Sequence, residues 1–296
     1  MKLNKTKKFT LCLFLSITFL IFNILFCNAQ IEKQVKPCNV GITLSGGAAR
    51  GIAHIGVLKA FEEAGIEINY ISGSSIGAVV GLFYAAGKTP DEMLSIATKI
   101  NKRRLLSVGT IHFRKRGIAY IEQIITTHIS EKTFEQLKIP LFVCVTNVQS
   151  GQFEIIDNGN FLPAICASVS IPFLYKQQII NEVGYIDGGI VNNLPVEPVR
   201  DSCNIVVGVS VNPIEFKNEK LKLRKHTTRV IELMLNENEI RRKEMCDFHI
   251  EIVGIGEVYF TDFQYSQKIH DMGYRAAKEF IEKNPELFKL KNLNIN

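Results

Sequence analysis

Gly73-Ser74-Ser75-Ile76-Gly77 follows the apolar run Ile66-Glu67-Ile68-Asn69-Tyr70-Ile71 and opens into Ala78-Val79-Val80-Gly81-Leu82-Phe83-Tyr84-Ala85-Ala86. The reading is strand, sharp turn, helix. In that setting a G-x-S-x-G pentapeptide lifts the serine hydroxyl above a sheet at the N-terminus of a helix, because small residues on either side let the backbone turn tightly. Ser75 is therefore the candidate nucleophile. The bland alternative for five such residues is an ordinary glycine-rich turn.

On the N-terminal side, Val40-Gly41-Ile42-Thr43-Leu44 is β-prone and runs into Ser45-Gly46-Gly47-Ala48-Ala49-Arg50-Gly51. A helical pattern then spans Ala53 to Ala64, with Gly65 as its stop. A glycine loop at a helix N-terminus offers N–H groups to an anion. A nucleotide phosphate is disfavoured, since no G-K-[ST] follows and G-x-G-x-x-G is not matched. The oxyanion of an acyl-transfer intermediate is the other candidate. The strand leading to Ser75 comes next in the chain, which places both turns at one edge of a parallel sheet. His54, one turn into the helix, reads as packed rather than catalytic.

On the C-terminal side, residues 88–140 read as a helical stretch. It includes Lys102-Arg103-Arg104 and, after Val108-Gly109, Phe113-Arg114-Lys115-Arg116, a solvated charged face or a surface for anionic lipid. Strands follow at 140–146 and 152–157, a short helix at 161–167, and a strand at 179–186 that ends in Asp187-Gly188-Gly189. Asn192-Asn193-Leu194-Pro195 starts another element, and Ile205 to Val211 is a buried strand. An amphipathic helix spans 227–245, a last strand 250–253 and a closing helix 269–281. Strand and helix alternate as in an α/β sheet.

A serine hydroxyl needs a base. His226, His249 and His270 are available by chain order, and Asp187 could act directly if partly desolvated within hydrogen-bond reach.

Taken together, Ser45 to Leu58, Gly73 to Gly77 and Asp187-Gly188-Gly189 resemble the patatin-like phospholipase family in order and spacing, over about residues 38–212. The resemblance implies a bacterial-type lipid acyl hydrolase on a three-layer α/β/α fold with a mostly parallel central sheet. It implies Ser75 as nucleophile, Asp187 as base, the N–H groups of Gly46, Gly47 and Ala48 as the oxyanion hole, and Arg50 as support for that loop. Segments 167–172 and 192–195 resemble the family's supporting segments. Two positions depart from the family pattern. Ala48 stands where a third glycine is usual, and Asn147 where many members carry an aspartate.

The ends and the composition bound the rest. Lys2, Lys5, Lys7 and Lys8 precede an almost wholly apolar run from Phe9 to Phe26, the pattern of a signal peptide ending near Ala29. An uncleaved anchor and lipidation at Cys27 are the rival readings; all three export the body, to a periplasmic, outer-surface or secreted location. Beyond residue 29, Lys+Arg falls from 35 to 31 against 29 acids, a net charge of +2. Such near-neutrality gives no support for nucleic-acid binding. Residues 30–296 read as one domain, a catalytic core to about 212 and a helical extension beyond. Five cysteines remain there, of which Cys144 and Cys166 sit in apolar surroundings as small buried hydrophobes. No metal-ligand spacing is present and no cofactor is called for. The expected substrate is a lipid or other acyl ester, met at a membrane surface. The rivals are an esterase or thioesterase on small soluble substrates, and a weakly catalytic lipid-binding effector.

Overall fold

The computed structural model describes residues 40–105, 114–214 and 223–285. All of them belong to one compact unit. The leader and its rivals, Cys27, Cys38, and the stretch from Val108 to Phe113 lie outside the described residues.

Five strands build the parallel part of the sheet: β1 (Val40–Leu44), β2 (Tyr70–Ser74), β3 (Leu141–Asn147), β7 (Ile205–Ser210) and β8 (Phe248–Glu251). β4 (Phe153–Ile156), β5 (Gln178–Ile180) and β6 (Val183–Asp187) are antiparallel additions. The order is β5-β6-β3-β2-β1-β7-β8, with β4 also pairing β3. The fold is thus α/β with a mostly parallel central sheet between helices, as the chain's alternation predicts.

Register divides the sheet into two unequal faces. Ile42, Leu44, Ile71, Leu141, Val143, Val207 and Val209 enter the main core. Helices α1 (Ala53–Glu63), α2 (Ile76–Ala85), α3 (Pro90–Thr98), α5 (Arg114–His128), α6 (Phe161–Ser168) and α9 (Ser266–Lys283) contribute side chains to that core. The opposite face carries Gly41, Tyr70, Phe142 and Val206, covered by a small cluster from Leu194, Val196 and α7 (Glu197–Ser202). Because β1 and β7 are buried on both faces, their sequences are nearly continuous apolar runs rather than alternating ones.

Local signals set the helix boundaries. Gly65 closes α1 at φ 67°, its N–H bonding to the Glu62 carbonyl while Ile66 N–H reaches Phe61, the arrangement glycine favours after a helix. Thr89 and Glu92 cap α3 reciprocally, with Pro90 at its first position. Among the described residues of the helical stretch expected over 88–140 lie α3, α4 (Lys102–Leu105) and α5, followed by a turn of 3-10 helix. The strand expected over 179–186 is a hairpin, β5 and β6, whose turn holds Asn181 and Glu182 at positive φ. Asn192 to Pro195 is a loop, and α7 starts only at Glu197. α8 (Leu223–Lys243) lies where an amphipathic helix is expected at 227–245, but its packing is the reverse of that pattern: Val230, Ile231, Leu233, Met234 and Ile240 are exposed, while Glu232 and Glu239 are buried. The described cysteines, Cys144, Cys166, Cys203 and Cys246, are free thiols.

Candidate active site

The two turns meet as expected, one at the C-terminal end of β1 and one at that of β2. Ser75 joins β2 to α2 with φ 53° and ψ −123°, a backbone conformation that serine adopts only under constraint from its surroundings. Those surroundings leave no room for side chains beside it. A Cβ on Gly73 would lie 2.5 Å from the Ala78 nitrogen, and one on Gly77 2.2 Å from the Leu44 carbonyl oxygen. Ser75 N–H donates to Ser168 Oγ at 2.9 Å, and the Ser168 hydroxyl donates to the Cys144 carbonyl at 2.7 Å. The elbow is therefore fastened to β3 through α6.

Asp187 ends β6. β4 pairs one edge of β3 from Val143 to Thr146, so β2 and β6 share the other edge end to end. Ser74 is the partner of Cys144, and Asp187 is the partner of the next residue, Val145. The carboxyl is held at each atom that matters. Its Oδ2 accepts from the Ser75 hydroxyl at 2.7 Å and its Oδ1 from Gly189 N–H at 2.8 Å. The Asp187 N–H donates to the Ser170 carbonyl at 3.1 Å, and its carbonyl accepts from Thr146 Oγ1 at 2.9 Å. Burial raises the carboxyl pKa to about 6, with the hydrogen bonds from Ser75 and Gly189 partly opposing that rise.

The histidines lie elsewhere. His54 is fully buried against the Ser45 carbonyl at 2.8 Å, and burial lowers its pKa to about 4, so the ring is neutral and donates that bond. His249 sits in β8, also lowered by burial to about 4, and His270 contacts Asp271. His226 is exposed on α8. None of the four bonds to Ser75 or Asp187.

The glycine loop differs in one respect from its expected role. Gly46 N–H donates to the Asn193 carbonyl at 3.2 Å, which removes it from the oxyanion donors. A carbonyl in the same chain occupies the lone hydrogen of that amide. Gly47 and Ala48 N–H have no hydrogen-bond partner among the described residues and remain as donors. Ala48 lies at φ 48°, a left-handed conformation that costs an L-residue roughly 1–2 kcal/mol. Arg50 is fully buried. Its Nε donates to the Val258 carbonyl at 2.7 Å, its Nη2 to Glu232 at 2.7 Å, and its guanidinium lies 4.3 Å from the Phe260 ring centroid. The loop is thus clamped to residues well beyond the segment that carries the motifs. Asn147 caps the β3–β4 turn, accepting from Gln149 and Ser150 N–H and donating to Glu154.

Ser75 and Ala48 line an apolar cavity of about 120 Å³. Ile76, Val79 and Phe83 of α2, Met93 and Ile96 of α3, and Ile121 and Ile124 of α5 form its walls, with Ile171, Leu174 and Tyr175 from the loop after α6. The lining is almost wholly apolar. The sequence held no signal for it, because its residues share no local pattern. No group of acidic, histidine or cysteine side chains among the described residues could hold a metal ion.

The chain's relatives agree with this architecture. An uncharacterized NTE family protein of Mycobacterium tuberculosis is 34% identical over 190 residues, covering 63% of this chain and 52% of that protein. The lysophospholipase NTE1 of Cryptococcus neoformans is 33% identical over 188 residues, covering 59% of this chain and 11% of that one. The chain therefore spans about half the length of the mycobacterial relative and a small part of the fungal one. Among solved structures, VipD from Legionella pneumophila superposes with a TM-score of 0.51 at 14% identity, over 83% of this chain and 67% of that one, a likeness of fold. The family model for patatin-like phospholipase matches residues 42–200, which include the glycine loop, the Ser75 elbow and Asp187; the chain belongs to the patatin-like phospholipase family.

Proposed function

We propose that the protein is a serine lipid acyl hydrolase working through Ser75 and Asp187. The observation that carries this reading is a buried serine–carboxylate hydrogen bond of 2.7 Å beside an apolar cavity that Ser75 itself lines. Asp187 takes the proton as Ser75 Oγ attacks the ester carbonyl carbon. The oxyanion forms opposite Gly47 and Ala48 N–H, where one such donor contributes about 2.7–4 kcal/mol to the transition state. The tetrahedral intermediate collapses, and Asp187 returns the proton to the departing alcohol. Water then attacks the acyl-Ser75 ester, losing its proton to Asp187, and in the second collapse Asp187 returns that proton to Ser75 Oγ as the fatty acid leaves. The cavity takes the acyl chain, whose burial contributes about 0.8 kcal/mol per methylene. No step calls on a metal or a cofactor.

We place the reaction at a membrane surface, outside the cytoplasm. Phe173 is 92% exposed, on the loop whose Ile171 and Leu174 line the cavity. A large apolar side chain held in water beside an acyl site suits insertion into lipid. The basic residues of α4 carry less of this role than the sequence suggests. Lys102 bonds to Gln264, and Arg104 bonds to Gln123 and stacks on Tyr120. Export rests on the lysine-rich, apolar leader of residues 1–29.

The test is fatty-acid release from phospholipid vesicles by the full chain in EDTA, wild type beside Ser75→Ala. Release by the wild type alone supports the reading. Turnover of small soluble esters with none on vesicles would favour a soluble esterase, and absence of both would leave a lipid-binding effector.

A further inference from the structure

α8 lies beyond the residues the family model matches, yet two of its acids reach the glycine loop. Glu232 and Glu239 are 1% and 0% exposed. Seven residues apart on a helix, they share one face. Glu232 receives Arg50, as described above. Glu239 receives the side chains that grip Gly46. Its Oε1 accepts from Asn193 Nδ2 at 2.5 Å and from Asn212 Nδ2 at 3.2 Å. Its Oε2 accepts from the Ser210 hydroxyl, with Lys243 Nζ at 3.7 Å.

Both amides go on to Gly46. Asn212 Nδ2 donates to the Gly46 carbonyl at 2.7 Å and Asn193 Nδ2 to the same oxygen at 3.4 Å, while the Asn193 backbone carbonyl takes Gly46 N–H. The Gly46–Gly47 peptide plane is therefore fixed through its carbonyl. That plane also carries the Gly47 N–H, one of the two remaining oxyanion donors. An amide side chain can turn over, exchanging its donor end for its acceptor end. Burial raises the Glu239 pKa, opposed by the Ser210 hydroxyl, the Lys243 ammonium and the two amides; as the carboxylate those groups favour, Glu239 accepts only, so both amides must present their NH₂ groups to it. The same orientation lets those NH₂ groups reach the Gly46 oxygen.

We propose that Glu239 is a positioning residue for ester hydrolysis: it orients Asn193 and Asn212, which set the Gly46–Gly47 peptide and so aim the Gly47 N–H at the developing oxyanion. This rests on the acyl-hydrolase reading above. Glu239 touches no substrate, so its loss acts on the transition state rather than on substrate binding.

The experiment is steady-state hydrolysis of a soluble short-chain p-nitrophenyl ester by the full chain, comparing wild type, Ser75→Ala, Glu239→Gln, Glu239→Leu and Asn212→Ala. Glu239→Leu is expected to lower kcat at least 30-fold with KM within twofold. Glu239→Gln, which keeps the shape and one acceptor oxygen, should recover at least a third of the lost activity on a logarithmic scale. Asn212→Ala combined with Glu239→Gln should cost no more than the larger single effect, since both act on one peptide. Variants of Glu239 with kcat within twofold of wild type, or with a raised KM and unchanged kcat, would overturn the proposal, as would additive losses in the double variant. If Glu239→Leu does not fold, Glu239→Gln and the double variant decide alone. A wild type no faster than Ser75→Ala would instead overturn the acyl-hydrolase reading, and the proposal with it.

Discussion

Ser75 Oγ and Asp187 Oδ2 are 2.7 Å apart although 112 residues separate them in the chain. The contact is made inside the protein, with Ser75 and Asp187 each 6% exposed. Burial gives the carboxylate a basicity that an exposed aspartate lacks, bringing it nearer to the range in which a general base is effective at neutral pH.

That basicity sets an acid limb. With its pKa at about 6, Asp187 is ionised above that pH and protonated below it. On a soluble ester, kcat/KM should be level above pH 7 and fall about tenfold per unit below pH 6. A profile flat to pH 5 would exclude Asp187 as the base.

The same burial weakens the fold at neutral pH. The native carboxyl binds its proton more tightly than an unfolded aspartate, whose pKa is about 3.9. The native state therefore holds more protons between about pH 4 and 6, and stability falls as pH rises through that window. Two pKa units correspond to about 3 kcal/mol. Asp187→Asn should abolish hydrolysis, by at least about 10³-fold, yet at pH 8 be more stable than wild type by up to about 3 kcal/mol in denaturant melts. A less stable Asp187→Asn at pH 8 would contradict the assigned shift.

Acyl-chain selectivity should follow the walls of the cavity. Val79 lies one turn after Ser75 on α2 and lines it. Val79→Phe should exclude two or three methylenes, about 0.8 kcal/mol each. The ratio of kcat/KM for dodecanoyl over butyryl ester should then drop at least tenfold, with butyryl hydrolysis within threefold of wild type. An unchanged ratio would mean the acyl chain lies elsewhere.

Substituting Phe173 tests the proposed lipid contact apart from the chemistry. Phe173→Asp should reduce hydrolysis of anionic phospholipid vesicles at least tenfold while leaving a monomeric soluble ester within twofold. Equal losses on both substrates would make Phe173 part of the site rather than of a lipid contact.

The sequence reveals those parts of the site that are written in consecutive residues. The Ser75 elbow, the glycine loop and Asp187-Gly188-Gly189 each owe their form to neighbours within a few positions, and each falls where its pattern places it. What was hidden depends on distant pairing. Nothing near Gly46 indicates that Asn193 would occupy its N–H, and nothing in α8 marks Glu239 as different from the surface acids around it. The apolar residues of 88–140 show a helical period without showing that α3 would end at Thr98 or α5 at His128. Arg50 was legible as support, but its partners at 232 and 256–260 were not.

The end-to-end meeting of β2 and β6 on β3 has a mechanical consequence. The proposed Ser75–Asp187 pair lacks the third side chain that, in a triad, steadies the base. Here Cys144 and Val145 of β3 serve as adjacent rungs, one paired with Ser74, the residue before Ser75, and the other with Asp187. Consecutive Cα atoms are 3.80 Å apart across a trans peptide, a spacing that thermal motion scarcely alters. The gap between hydroxyl and carboxylate is therefore gauged by the covalent geometry of β3 rather than by the packing of the helices that line the cavity.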